Sequence, residues 1–155
     1  MEPSFPERAQ AIRRATERLC LRLGWAPLHE VALPNGRRAD ILALRPDGCF
    51  ACVEIKSGPR DFLTDLKWQH YRDFADELFF AVDPDFPQDL LPTETGLIIA
   101  AGLEAEVLRE ARLHSLAPAR RRSLLNRFAS IAAGRLAALE DPGGVADMRA
   151  ALRVE

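Results

Sequence analysis

The sequence predicts a single α/β domain, in which a mixed β-sheet opens with an antiparallel meander and is flanked by helices. Apolar residues recur at helical spacing near both ends of the chain. Two turn signals, Asn35-Gly36 and Pro46-Asp47-Gly48, separate three strand-like runs. Two more short apolar runs follow a segment with helical periodicity, which is typical of parallel strands joined by a crossover helix.

The first half of the chain is predicted to form a helix and then the meander. Residues 7–23 have the periodicity of an amphipathic helix, and Gly24 follows where a C-cap glycine is expected. The three strands are predicted at residues 29–33, 38–44 and 49–56. Because both turn signals favour tight turns, neighbouring strands should pair antiparallel.

The second half is predicted to form a crossover helix after Pro59, further strands and a long helix. The elements expected after the crossover are strands at 78–82 and 97–101, a candidate strand at 105–109, and a helix from Pro118 to about Glu140. The domain should therefore have a core at about residues 7–140 and a C-terminal tail at 141–155.

Composition indicates an ordinary soluble protein, with 155 residues, 48% hydrophobic, 28% charged and a net charge of −2. No apolar run approaches the roughly 20 residues that span a bilayer, and the N-terminus lacks signal-peptide features, so we expect a cytoplasmic protein without a membrane partner. Cys49 and Cys52 form a C-x-x-C, but it falls within a predicted strand and has no second pair, so packing is the preferred interpretation.

Three charged residues are predicted to meet at the ends of the second and third strands. Counting outward from the turn near residue 47 places Asp40 opposite Glu54, and Lys56 lies on the same face as Glu54. Two neighbouring carboxylates repel each other, and a divalent cation relieves that conflict. Mg²⁺ prefers oxygen ligands, and a nearby lysine can stabilise charge on a phosphate. The alternative is a plain salt bridge of Lys56 at the sheet edge.

These segments also resemble a known family. RRADILAL followed by VEIK resembles the D…(D/E)-x-K signature of the PD-(D/E)XK, or restriction-endonuclease-like, nuclease superfamily. A longer match, in ALPNGRRADILAL, CVEIKSGPRDFLTDLKWQHYRDFADELFFAV, FPQDLLPTETGLIIA and LAPARRRSLLNRFA, is similar to the MmcB family of bacterial DNA repair proteins. The resemblance runs from about residue 10 to residue 138 and implies a restriction-endonuclease-like core.

The resemblance implies a role for each residue of the signature. Asp40 and Glu54 would bind Mg²⁺ (or Mn²⁺), the carbonyl of Ile55 would face the metal, and Lys56 would be the catalytic lysine. The superfamily's usual proline before the first acid is Ala39 here.

An additional acidic residue often precedes this motif in the superfamily. Glu17 on the first helix and Glu30 on the first strand are the two candidates, and an ordinary solvated glutamate is the alternative for each.

Other candidates lie on the segment after the motif. Lys67-x-x-x-Tyr71 resembles the Q-x-x-x-Y element of some relatives, and residues four apart share a helix face, so both side chains are accessory candidates. A tyrosine in this position is more often a core aromatic residue than a base-stacking one. Asp61 and Asp65 are interpreted as helix-start acids favoured by the helix dipole.

Basic residues predict contact with a nucleic-acid backbone. Seven arginines and one acid lie between Arg109 and Arg135, and three consecutive arginines in a first helical turn oppose the helix dipole. A solvated helix face is the alternative. The arginines expected to bind phosphate are Arg37, Arg38, Arg60, Arg120, Arg121 and Arg122.

The sequence therefore predicts a Mg²⁺-dependent DNA nuclease, or a nuclease-fold DNA-processing protein, acting in bacterial DNA repair. No motif that reads base edges is present, so the substrate should be recognised by structure or damage. The alternative is a catalytically silent module that binds DNA or a protein in a repair complex. An RNA substrate, a homodimer and repair-protein partners are left open.

Overall fold

The computed structural model describes residues 1–65, 67–144, 146–147 and 150–151. The chain divides into two compact units, Met1–Ala117 and Pro118–Glu155. The single domain expected over residues 1–155 stays a prediction. Of its tail at 141–155, residues 145, 148–149 and 152–155 lie outside the described residues.

The described residues of the first unit form two α-helices, two 3₁₀ helices and six strands. The helices are α1 (Phe5–Arg22) and α2 (Pro59–Thr64), with 3₁₀ helices at Trp68–Phe74 and Gln88–Leu90. The strands are β1 (Ala26–Ala32), β2 (Arg38–Leu44), β3 (Phe50–Ile55), β4 (Glu77–Val82), β5 (Gly96–Ala101) and β6 (Glu104–Arg109). The second unit contains α3 (Pro118–Glu140). None of these helices combines the length and apolar character needed to cross a bilayer.

The six strands form one mixed sheet in chain order. β1, β2 and β3 make an antiparallel meander, β4 and β5 continue parallel to β3, and β6 pairs antiparallel with β5. The predicted α/β class, the meander and the sixth strand are thus confirmed. The β2–β3 pairing ends with Ile41 opposite Val53, so the next residues outward are Asp40 and Glu54. The sequence-based register is correct.

Helix α1 covers one face of the sheet. Ser4 and Glu7 form a capping box at its first turn, which satisfies free N–H groups there. Its apolar side packs on alternate residues of the central strands, a core that includes Ile12, Ala15, Leu19, Ile41, Ala51, Val53, Phe79 and Ile98. Neighbouring strand positions, Asp40 and Glu54 among them, therefore point to the opposite face.

The opposite face is covered by α2 and the 3₁₀ helix that follows. Phe80 of β4 contacts the rings of Phe62 and Trp68 edge-on, with centroids 5.4 and 5.8 Å apart. The sequence predicts one crossover helix here, whereas α2 ends at Thr64. Asp65 causes this difference, because its carboxylate accepts the N–H of Lys67 at 3.1 Å and favours a turn over a further helical turn.

A buried carboxylate fastens the segment after β6 to the edge of β4. The Asp76 side chain is inaccessible to solvent and accepts the N–H of Phe50 at 2.7 Å and that of Leu116 at 2.9 Å. Its backbone carbonyl accepts the N–H of His114 at 2.7 Å. One side chain therefore joins β3, β4 and the chain around residue 115.

Asp76→Ala should lower the free energy of unfolding by about 3 kcal/mol, because it leaves two buried N–H groups without acceptors. Urea denaturation measures the loss. Asp85→Ala, at an exposed turn residue, is the control and should change stability by no more than about 0.5 kcal/mol. Equal effects of the two substitutions would contradict this role.

Candidate functional site

A cavity of about 480 Å³ lies where β2 begins and β3 ends. Both helices and three strands of the first unit reach it. Its walls are formed by Pro6, Ala9, Gln10 and Arg13 of α1, Glu30 of β1, Asp40 of β2, Glu54 and Ile55 of β3, Lys56, and Asp61 of α2. Four carboxylates thus line one cavity with an arginine and a lysine.

Asp40 and Glu54 bind each other's strands. The N–H of Asp40 donates to Glu54 Oε1 at 3.2 Å, and the N–H of Ile55 donates to Asp40 Oδ2 at 2.8 Å. Where β2 and β3 separate, these two hydrogen bonds to side chains take the place of the backbone hydrogen bonds between the strands. The two carboxylates are therefore fixed side by side by the backbone itself.

Burial and mutual repulsion make this pair hard to ionise. Burial raises the pKa of Glu54 well above its usual range, and the Asp40 charge raises it further, against the N–H of Asp40 and the charge of Lys56. Burial also raises the pKa of Asp40, which the N–H of Ile55 partly offsets. Glu54 accordingly keeps its proton to a higher pH than an exposed glutamate does.

Lys56 is buried, and its partners come from α2 and from the C-cap residue that follows it. Its ammonium lies 2.8 Å from Asp65 Oδ2 and 3.9 Å from Asp61 Oδ1. Within the described part of the chain, the ion pairs of Lys56 do not include Asp40 or Glu54. Lys56 therefore does form a salt bridge, the alternative given by the sequence, but its partners are Asp65 and Asp61. Asp65 is the C-cap residue of α2, so its interpretation as a helix-start acid is wrong, while Asp61 does lie in the first turn.

The two candidates for an accessory acid lie in different surroundings. Glu30 lines the cavity, and its backbone is left-handed, with φ of 50°. Glu17 is engaged by His29 at 3.3 Å and Arg13 at 4.0 Å. An L-residue pays about 1 kcal/mol for a left-handed backbone, and such residues concentrate at functional sites. The geometry favours Glu30, and the role itself stays a prediction.

Lys67 and Tyr71 do not share an α-helical face, since α2 ends before them. Lys67 is exposed and precedes the 3₁₀ helix. Tyr71 is buried within it, and its hydroxyl donates to the carbonyl of Arg38 at 3.4 Å. Burial raises the pKa of Tyr71, and the charges of Glu54 and Asp40 raise it further. Tyr71 therefore lies near the carboxylate pair, as a packed aromatic residue.

The predicted phosphate-binding arginines occupy two parts of the chain. Arg37 and Arg38 lie at the turn into β2, and Arg60 is in the first turn of α2, where Arg38 and Arg60 are exposed. Arg120, Arg121 and Arg122 occupy the first turns of α3 in the second unit. Arg109, counted in the same basic stretch, instead donates to the carbonyls of Thr95 and Pro92, each at 2.9 Å.

Three polar residues of the cavity were not predicted to be part of a site. Gln10 and Arg13 reach it from α1, and Asp61 from α2. Gln10 and Arg13 are three residues apart, so they share a helix face. That spacing is common on any solvated helix and gives no signal in one sequence.

The carboxylate pair fits a hard divalent cation. The described residues contain no group of three or more His, Cys, Asp or Glu side chains arranged to hold a metal. Mg²⁺ requires fewer, because it commonly binds one or two carboxylates and keeps several waters. The pKa of Glu54 stays raised although the Lys56 charge lowers it, so Lys56 offsets only part of the burial and repulsion at this pair. A bound cation would add further positive charge.

Comparison with known proteins identifies relatives over nearly the whole chain. The family model described as DNA repair protein MmcB-like matches residues 1–143. A solved structure, a protein of unknown function from Silicibacter pomeroyi, is 40% identical and superposes with a TM-score of 0.85. That match covers 93% of this chain and 97% of the other. No curated protein matches the chain.

Glu54→Gln should stabilise the protein at neutral and alkaline pH. The folded chain holds a proton on Glu54 that the unfolded chain releases above the ordinary pKa of 4.5, so wild-type stability falls as pH rises from there to the folded-state pKa. Glutamine carries no such penalty and keeps an oxygen to accept the N–H of Asp40. We expect about 1 kcal/mol or more of stabilisation at pH 8, and none below pH 4.

Urea denaturation of both proteins across that pH range makes the measurement. A Glu54→Gln protein less stable than wild type at pH 8 would show that the buried carboxyl is not destabilising.

Glu30→Gly should be more stable than Glu30→Ala by about 1 kcal/mol, because only glycine adopts the left-handed backbone without strain. Both variants remove the same carboxylate, so the difference isolates the backbone. Glu17→Gly and Glu17→Ala, in the middle of α1, are the control and should show the opposite order. Thermal unfolding compares the stability of the four variants. If Glu30→Gly is no more stable than Glu30→Ala, the backbone at position 30 is not strained.

Proposed function

Because the chain belongs to the MmcB-like family of DNA repair proteins, we propose that it is a Mg²⁺-dependent DNA nuclease of the PD-(D/E)XK type. The observation that carries the proposal is the carboxylate pair of Asp40 and Glu54, crosswise hydrogen bonded and open to a cavity that Lys56 also lines. This combination is what metal-assisted hydrolysis of a phosphodiester requires.

The stability cost of the pair supports a functional origin. Buried Glu54 and half-buried Asp40, both with raised pKa values, weaken the fold, and the charge of Lys56 offsets this only in part. The hydrogen-bonded partner of the Lys56 ammonium is Asp65. Strongly perturbed carboxylates in a cavity are typical of catalytic or metal-binding positions.

Each residue of the site has a distinct task in this proposal. A bound Mg²⁺ would make a coordinated water more acidic and neutralise charge on the phosphate. Asp40, Glu54 and the carbonyl of Ile55 would hold the ion. The Lys56 ammonium would donate to a phosphate oxygen and stabilise the charge that grows there as water attacks. Glu30 is the proposed accessory acid.

Six arginines would supply affinity for the DNA backbone. Arg37, Arg38 and Arg60 belong to the unit that contains the cavity, and their forks match phosphate oxygens. Arg120, Arg121 and Arg122 would add phosphate contacts from α3. Since these contacts carry no base information, the enzyme would select DNA by structure or damage.

A second candidate function is a module that binds DNA or a repair protein without catalysis. The pairing of Lys56 with Asp65 at 2.8 Å favours it, since a neutralised lysine attracts phosphate less strongly. The two functions differ in turnover, which a direct cleavage assay measures.

Cleavage should be tested on a panel of labelled single-stranded, duplex, flapped and branched DNAs with Mg²⁺ or Mn²⁺. We expect metal-dependent cleavage of at least one substrate, lowered about a hundredfold or more in Asp40→Asn and in Lys56→Met. Asp85→Asn is the matched control and should retain wild-type activity.

Two results would reject the nuclease. One is wild-type protein that binds DNA but cleaves none of the panel with either metal. The other is cleavage that survives unchanged in both site variants, which would trace it to a contaminant or to another site.

A further inference from the structure

We propose that Asp65 is a positioning residue, which holds the Lys56 ammonium at the cavity and keeps it off the Asp40–Glu54 pair. This inference rests on the proposed nuclease function and deepens it. It assigns a role to a residue that lies outside the D…(D/E)-x-K signature. The supporting observations come from α2 and the turn that ends it.

Asp65 is the principal partner of a buried ammonium. The Lys56 side chain is 7% exposed, and its Nζ donates to Asp65 Oδ2 at 2.8 Å. Asp61 is farther away, at 3.9 Å, and its side chain is 48% exposed against 18% for Asp65. Distance and solvent screening both weaken the Asp61 pair, so Asp65 determines where the ammonium lies.

The Asp65 carboxylate is itself fixed in place. Its second oxygen accepts the N–H of Lys67 at 3.1 Å, and its own N–H donates to the carbonyl of Phe62 at 3.1 Å. Both carboxylate oxygens are therefore engaged, and the side chain cannot turn away without losing a bond. The turn that ends α2 thus orients the partner of Lys56.

This arrangement resolves a competition within the site. Lysine has a long flexible side chain, and an unrestrained ammonium beside two carboxylates would pair with them. It would then occupy oxygens that a cation needs. Bound to Asp65, Lys56 leaves the oxygens of Asp40 and Glu54 to the cation. An ammonium has three donors, so the remaining two can still reach a phosphate oxygen.

Asp65 should therefore act only through Lys56, which a double-mutant cycle measures. The proteins are wild type, Lys56→Met, Asp65→Asn and the double variant, with Asp61→Asn as the control for loss of an α2 carboxylate. The readouts are kcat and KM for the best-cleaved DNA of the panel, Mn²⁺ affinity by calorimetry, and the melting temperature.

We expect Asp65→Asn to lower kcat about tenfold with KM nearly unchanged, and to have no further effect once Lys56 is methionine. Mn²⁺ should bind Asp65→Asn several-fold more weakly than wild type, because the released ammonium pairs with the site carboxylates. The double variant should regain the affinity of Lys56→Met. Asp65→Glu should restore part of kcat, and Asp61→Asn should have a smaller effect than Asp65→Asn.

Other outcomes overturn the inference. Losses in kcat that add in the double variant would mean that Asp65 acts independently of Lys56. Unchanged kcat and Mn²⁺ affinity in Asp65→Asn would mean that Lys56 needs no positioning. A fall in melting temperature that alone accounts for the lost activity would make Asp65 structural. Wild-type protein that cleaves no DNA would instead overturn the nuclease proposal, and this inference with it.

Discussion

The carboxylates of Asp40 and Glu54 lie side by side where β2 and β3 separate, and each accepts an N–H from the other's strand. This crosswise bonding is the constraint on which the rest of the site depends. It closes the end of the meander with side chains, so the charges cannot move apart to relieve their repulsion. Burial then makes ionisation of the pair costly. A cation is the simplest group that would lower this cost.

The surrounding elements leave this pair lining a cavity, with its charge offset only in part by Lys56. Glu30 has a left-handed backbone and places a third carboxylate on the cavity. Asp65 binds the Lys56 ammonium, which therefore does not pair with Asp40 or Glu54. Each feature costs stability or order that a purely structural site would avoid. Proteins retain such features where function requires them. The chain belongs to the MmcB-like family of DNA repair proteins, and the phosphodiester substrate proposed above agrees with that membership.

Much of this arrangement follows from sequence because it depends on local rules. The Pro-Asp-Gly turn fixes the register of β2 and β3, so counting from it places Asp40 beside Glu54. The end of α2 at Thr64 could not be predicted from sequence. Hydrophobic periodicity gives no sign that the Asp65 side chain accepts the N–H of Lys67 and so favours a turn there. Nor could the difference between Glu17 and Glu30 be predicted, since it depends on a left-handed residue within a strand and on the ion pairs of α1. The first is a local effect of one side chain on its own turn, and the second is a tertiary effect.

We expect a divalent cation to bind the carboxylate pair of Asp40 and Glu54 and to displace a proton from it. Calorimetric titration of the full chain with Mn²⁺ at pH 7, in two buffers that differ in ionisation enthalpy, measures binding and proton release together. Wild-type protein should bind a Mn²⁺ ion with release of a proton, and Asp40→Asn should lose both. Absence of Mn²⁺ binding, or binding that Asp40→Asn leaves unchanged, would contradict it.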